Sequence, residues 1–217
     1  SLADPADKAK WNVLRGLQLV QDGDAESAEP FLSAAASSEV LRPRIMAQLA
    51  LIDIGQKTGR MPAEKAALEL EGLTYIWQGD ELQLDILDRL IDTQASLGRY
   101  DRALEAADGA VLAAADLDRQ RNYRKRIGEL LQGALEASAA EGGDRINAIA
   151  LFDRYAEMLP DETQRAALGL KLADQLAAAD LDDQAAELLR QLKRTAPDAQ
   201  QAAVTAKLAK IDPGAVS

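Results

Sequence analysis

The stretch Gly98-Arg99-Tyr100-Asp101-Arg102-Ala103-Leu104-Glu105-Ala106-Ala107-Asp108-Gly109-Ala110 decides how the chain is read. It opens on a turn residue, places a small residue five positions later, an apolar residue four beyond that, and another three further on. Offsets of four and three put those positions on one face of an α-helix. The same offsets return from Asp180 through Ala185, Leu189 and Leu192, closed by Pro197. They return from Gly143 through Ala148, Phe152 and Tyr155, closed by Pro160, and more weakly from Gly23 through Ala28, Leu32 and Ala35. Corresponding alanines are 45 residues apart from Ala103 to Ala148 and 37 from Ala148 to Ala185.

Outward from these copies, apolar spacing is helical almost throughout. It predicts helices near 5–21, 24–37, 41–57, 62–73, 80–97, 100–115, 118–140, 145–158, 162–179, 182–194 and 198–210. Asp80 with Gln83, and Asp161 with Gln164, fit the pattern that satisfies free amides at a helix N-terminus. Gly23, Gly59, Gly79, Gly98, Gly142-Gly143 and Pro197 mark the stops and turns. No linker of more than a few residues intervenes, so the expectation is one helical domain over 1–217. Its pairs fall near 5–37, 41–73, 80–115, 118–158 and 162–194, with 198–210 as a cap.

Composition agrees. The 217 residues include 43 Ala and 33 Leu, against 22 Val, Ile and Thr together, so strong helix formers dominate and sheet formers are scarce. With 47% apolar residues but only eight aromatics, the core is built from helices in close contact through Ala. The chain has no His and no Cys. That excludes Cys nucleophiles, Ser-His-Asp triads, His bases, thiolate zinc sites and disulfides. The expectation is no catalytic residue, no metal and no cofactor. A formal charge of −11 repels nucleic acid and anionic lipid. No apolar run approaches the roughly 20 residues that span a bilayer, so no membrane insertion is expected. The Ser1-Leu2 start reads as a processed or engineered end of a longer protein. Cytoplasm and periplasm fit equally.

The repeated pattern resembles the second helix of a tetratricopeptide repeat, in which the small residue sits at a close helix crossing and the large one fills the groove. The resemblance covers roughly 9–36, 84–115, 129–160 and 166–197, with 41–73 as a degenerate member. The first-helix Trp/Gly/Tyr signature is largely absent, and the spacings exceed the family period of 34. The resemblance implies an all-α, right-handed α-solenoid of about five TPR-like hairpins plus a C-terminal capping helix, about 11 helices in all. A plain helical bundle is the competing arrangement.

Three clusters are candidates for binding a partner. Glu81, Asp85, Asp88 and Asp92 fall within about 60° on one helix and form an acidic stripe, opposite a seam of Leu84, Leu87, Leu90, Ile91 and Leu97. By the resemblance, Asp85, Asp88 and Asp92 occupy first-helix positions that line the concave groove, where a Lys- or Arg-bearing peptide would lie. A solvated helix face is the plainer alternative. Arg119, Arg121, Arg124, Lys125 and Arg126 place five of 25 basic residues within eight positions, in the first turns of a helix where the macrodipole disfavours cations. Ion pairs with the stripe about 36 residues earlier would compensate, as would an acidic docking partner, with phosphate or RNA contact the remaining reading. Tyr75 and Trp77, at a helix-to-helix corner, read as core plugs or as interface anchors. Scarcity of aromatics favours the plug, and Trp11 is expected to pack inward as well unless a missing N-terminal neighbour covers it. Asp22-Gly23-Asp24-Ala25-Glu26 lacks the spacing of a calcium loop and reads as a capped turn.

These readings favour a non-enzymatic interaction module that binds a peptide or helix of another protein on a concave face. The second reading is a self-assembling structural subunit, which leaves homo-oligomers open.

Overall fold

In the computed structural model, residues 4–140 and 142–212 are described. Ser1 and Leu2, read above as a processed start, lie outside them. The described residues form eleven α-helices and one short 3-10 turn, and no strand. They run α1 (Pro5–Gln21), α2 (Ala25–Ala36), α3 (Leu41–Lys57), α4 (Ala63–Ile76), α5 (Glu81–Ser96), α6 (Tyr100–Ala113), α7 (Leu117–Ala139), α8 (Arg145–Tyr155), α9 (Glu162–Ala177), α10 (Asp182–Thr195) and α11 (Asp198–Ile211). The 3-10 turn Ala156–Met158 finishes the segment expected to be α-helical to 158. The chain divides into two units, Ser1–Leu97 with α1–α5 and Gly98–Ser217 with α6–α11.

The repeated face is the buried face. In α2, Ala28, Leu32 and Ala35 are fully buried; Ala103, Ala107 and Ala110 are so in α6. Ala148, Phe152 and Tyr155 in α8, and Ala185, Leu189 and Leu192 in α10, are at most 5% exposed. α4 carries the same offsets in Ala66, Leu70 and Leu73, all buried, which completes the degenerate member. Its copy hides in sequence because Ala66 lies seven residues after Gly59, where the other copies have five.

Turn chemistry explains the stops. Gly23, Gly59, Gly79, Gly98 and Gly142 all have positive φ, and Asp180 does so at +60° in the place that Gly23 and Gly98 hold in their copies. After α1 the Asp24 amide donates to Leu19 O at 2.9 Å, and after α9 the Leu181 amide donates to Leu176 O at 2.9 Å. Both close the helix end by the same left-handed device. The next helix is then capped. Asp24 accepts from the Ser27 amide at 3.0 Å, which is the capped turn expected instead of a calcium loop. Asp161 accepts from Thr163 and Gln164 amides. At α5, Asp80 accepts from Leu82 while Gln83 reaches past it to the Gly79 amide at 2.7 Å.

In unit 1, α1 packs on α2, α2 on α3, and α1 on α3. Their shared core holds Val13, Ala28, Leu32, Ala35, Ala47, Ala50 and Ile54. The close approach is set by Gly16, where a Cβ would lie 2.6 Å from Leu32 Cδ2. In unit 2, α6 packs on α7, α9 on α10 and α10 on α11, and α7–α9 and α9–α11 also touch. There Gly169 leaves room for Leu192 and Phe152.

Two expectations about aromatics are overturned. Trp11 is 57% exposed, because Ala9, Val13 and Gly16 already face the core and position 11 lies on the far side of α1. α4 runs to Ile76, three residues past the expected stop, since nothing between Leu73 and Trp77 breaks it. That added turn carries Tyr75 to the face opposite Leu70 and Leu73, where it is 85% exposed and plugs nothing.

Candidate functional site

The first, third and fifth helices of unit 1 enclose an open groove of about 470 Å³. Its apolar lining comes from Leu17 and Val20 of α1, Met46, Leu49 and Ile54 of α3, and Leu82 of α5. Lys57, Asp53, Asp85 and Arg89 supply charge at its wall. α3 reaches the groove because it is buried on two sides: Ile45, Ala47 and Ile52 are fully or almost fully buried, while Met46 and Asp53 are only half-buried.

Arg89 organises that wall. Its Nε donates to Asp53 Oδ1 at 2.9 Å and Oδ2 at 3.0 Å, and Nη2 donates to Oδ2 at 2.8 Å. Nη1 turns back along α5 to donate to the Asp85 carbonyl at 2.8 Å. Burial works against the charge, but Asp53 first, then Asp85 and Asp88, outweigh it and hold the Arg89 pKa above that of an ordinary arginine. The fork fixes α5 to α3 and commits Asp53.

The stripe residues sit on α5 as expected: Glu81, Asp85 and Asp92 are exposed and Asp88 is half-buried. Leu84, Leu87, Leu90 and Ile91 are buried opposite them, and Leu97 is half-buried; Leu82 and Ile86 are buried as well, so little of α5 beyond the stripe reaches solvent. Of the four carboxylates, Asp85 lines the groove. Glu81, Asp88 and Asp92 each have an interaction partner.

In unit 2 the basic cluster occupies the first half of α7. Arg119, Arg121, Arg124 and Lys125 are exposed and Arg126 is half-buried. The N-cap Asp116 accepts from the Arg119 amide at 2.8 Å and lies 3.4 Å from its Nε, and Asp118 pairs with Arg121 at 3.0 Å. These two aspartates answer the unfavourable dipole locally for the first-turn cations; Arg124, Lys125 and Arg126 start beyond that turn. Stripe and cluster belong to different units.

Trp77 ends α4 half-buried. Its indole N–H donates to Asp80 at 2.7 Å, and the Arg42 guanidinium lies 5.6 Å from the ring centroid and also pairs with Asp80. The indole N–H, then Arg42 and the Leu82 amide, hold the Asp80 carboxyl below the usual aspartate range. Trp77 is thus a clasp between α3 and the start of α5, while Tyr75 stands free of it.

The sequence reading missed Asp53 and Arg89. Their signal is a spacing of 36 residues, and it recurs. Lys171 pairs with Glu136 across 35 residues at 3.0 Å, and Lys207 pairs with Asp174 across 33. Each joins one odd-numbered helix to the next. The last pair lies on a second hollow of about 470 Å³ among α9, α10 and α11, lined by Ala173, Ala177, Ala178, Leu189 and Ile211.

Comparison with protein-family models and with curated proteins gives no match. Among the described residues no helix is long and apolar enough to cross a membrane.

Proposed function

We propose that the chain is a non-enzymatic protein-interaction module of the tetratricopeptide-like kind, a right-handed solenoid of about five hairpins with α11 as its cap. Five buried Ala-led faces on alternate helices support the repeat reading. So do ion pairs 33–36 residues apart between successive odd helices. Gly16, twelve residues before Ala28, takes the part of the glycine in the family's first-helix signature.

The observation that carries the function is the groove of α1, α3 and α5. Its apolar lining suits a large apolar side chain of a peptide or helix, and its mixed-charge wall orients the chain that bears it. Bond chemistry has no support there: Asp53 is engaged by Arg89, and neither His nor Cys exists to assist. Nucleic acid is disfavoured by the −11 charge.

Selection of peptides from a random library on the immobilised protein tests this. Selected peptides should contain an apolar anchor and lose about tenfold or more in affinity on Leu17→Glu and Met46→Glu, both half-buried groove positions. Both variants should keep wild-type helicity. Selected peptides that bind these variants as well as wild type would place the binding surface elsewhere and remove the groove reading.

A further inference from the structure

Asp53, Lys57, Asp85 and Arg89 are the charged residues in the lining of the groove of α1, α3 and α5, and they are not equivalent. Asp53 and Arg89 neutralise each other through the fork. The Asp85 carboxylate and the Lys57 ammonium are both exposed and take no ion pair among the described residues. Arg89 reaches the Asp85 backbone carbonyl and leaves its carboxylate to water. Next to Lys57 in the chain, Arg60 is engaged by Glu29. Asp22 and Asp24 stand in the turn after α1, with Asp24 committed to capping α2, and neither lines the groove.

Two ion pairs fix where the uncommitted charges stand. Arg42 meets Asp80 across 38 residues and Asp53 meets Arg89 across 36, so α3 and α5 run in the same direction with those residues side by side. Asp85 therefore lies beside Leu49 of α3. Lys57 is two turns further along α3, about 12 Å at 1.5 Å per residue. Leu49, Ala50 and Ile54 line the interval between them, and Leu17 and Val20 of α1 belong to the same lining. The groove thus has an acidic end, an apolar middle and a basic end.

We propose that the groove selects a partner segment that carries one basic and one acidic side chain about 12 Å apart, with an apolar anchor between them. The inference rests on the groove reading above and adds which charges the partner bears. The basic group meets Asp85, the acidic group meets Lys57, and the anchor enters between Leu17 and Leu49. Both charges are hydrated while the groove is open. An occupant strips that water, and a charge it fails to match is left desolvated and unpaired. A segment basic at both ends therefore sets a cation against Lys57, and one acidic at both ends sets a carboxylate against Asp85. On a helix the two partner charges stand about eight residues apart on one face, and on an extended segment about four.

Fluorescence anisotropy with labelled peptides and the whole chain, at low and high salt, is the test. The peptides keep the anchor of a library-selected binder and differ in the two flanking charges: one of each sign, two Lys, two Glu or two Gln, at eight-residue and at four-residue spacing. At one of the spacings the mixed pair should bind about fivefold or more tighter than either like-charged peptide, and the advantage should shrink in high salt. Asp85→Lys should move the preference to the two-Glu peptide, and Lys57→Glu to the two-Lys peptide. Asp85→Asn with Lys57→Gln should abolish the ranking while binding through the anchor persists. Both positions are exposed, and circular dichroism checks that each variant keeps its fold. Equal affinity for all four peptides at both spacings, or a ranking untouched by the two reversals, overturns the charge pattern; the groove reading stands in that case if Leu17→Glu still weakens binding. Binding that ignores Leu17→Glu and Met46→Glu removes the groove reading, and this inference with it.

Discussion

Unit 1 and unit 2 each hold a hollow of about 470 Å³ beside an ion pair between odd-numbered helices, yet the two are differently built. In unit 1 the lining is long: Leu17, Val20, Met46, Leu49 and Leu82. In unit 2 it is short, chiefly Ala173, Ala177 and Ala178. The ion pairs differ in the same direction. Arg89 forks onto Asp53 with both side chains about a third exposed, whereas Lys207 meets Asp174 at one contact, with Asp174 59% exposed. A planar guanidinium can hold a carboxylate at a fixed angle beside an apolar wall, and an ammonium on a flexible stem makes a looser, better-hydrated link. One register of helices therefore supports a rigid apolar groove in one place and a softer hollow in another, and side-chain choice decides which.

The largest effect should come from the feature both units share. Replacing Ala28, Ala66, Ala103, Ala148 or Ala185 with Leu forces extra volume into a buried face and should cost about 1–3 kcal/mol each. Leu at the exposed Ala199 should be nearly neutral. Urea unfolding reads this directly, and equal midpoints for all six variants would remove the common register of the two units.

A smaller effect should separate the units. Arg89→Lys loses the fork on Asp53 and should lower stability by about 1 kcal/mol. Lys171→Arg in unit 2 should change it by less than about 0.5 kcal/mol, since the site is open to water. Double-mutant cycles for Asp53 with Arg89 and for Glu136 with Lys171 should show the stronger coupling in unit 1. Equal couplings would mean that the fork adds nothing over a point charge.

The smallest effect is in acid. Asp80 is held below the usual aspartate range by Trp77, Arg42 and the Leu82 amide, so its contribution is fully present above the unfolded pKa, about 3.9, and is lost as pH falls through the folded value. Asp80→Asn should therefore shrink the drop in melting temperature between pH 5 and pH 2. In unit 2, Glu136 is lowered by Gln132 first and then by Lys171, and Glu136→Gln should act in the same direction. A steeper acid limb in either variant would reverse the assigned sign.

Local rules made most of the helical layout readable. Gly98 and Gly23 stop helices because only a left-handed residue lets the chain turn back there, and Asp24 and Asp161 restart them by accepting free amides. Each is an interaction within a few residues, and it is written where it acts. The 4 and 3 offsets of Ala103, Ala107 and Ala110 gave the buried face for the same reason. Asp180 followed the glycine copies in register, but its positive φ could not be read from the residue type, because Asp adopts that conformation only where the surrounding turn requires it.

Of the groove, the sequence marked Asp85 and left out its partners. Arg89 stands four residues on, beside the acidic stripe, and nothing in its residue type or local spacing names its partner. Its role depends on Asp53, 36 residues earlier, and on the way α3 and α5 lie in unit 1. Trp11 and Tyr75 show the same limit. Scarcity of aromatics argues for a core place for both, and their exposure follows from smaller residues having taken the inward positions. What a residue does within one turn of helix was settled by the sequence itself. Which side chains meet across helices, and which apolar ones are left facing water, was decided by packing, because only a limited number of side chains can share each buried face.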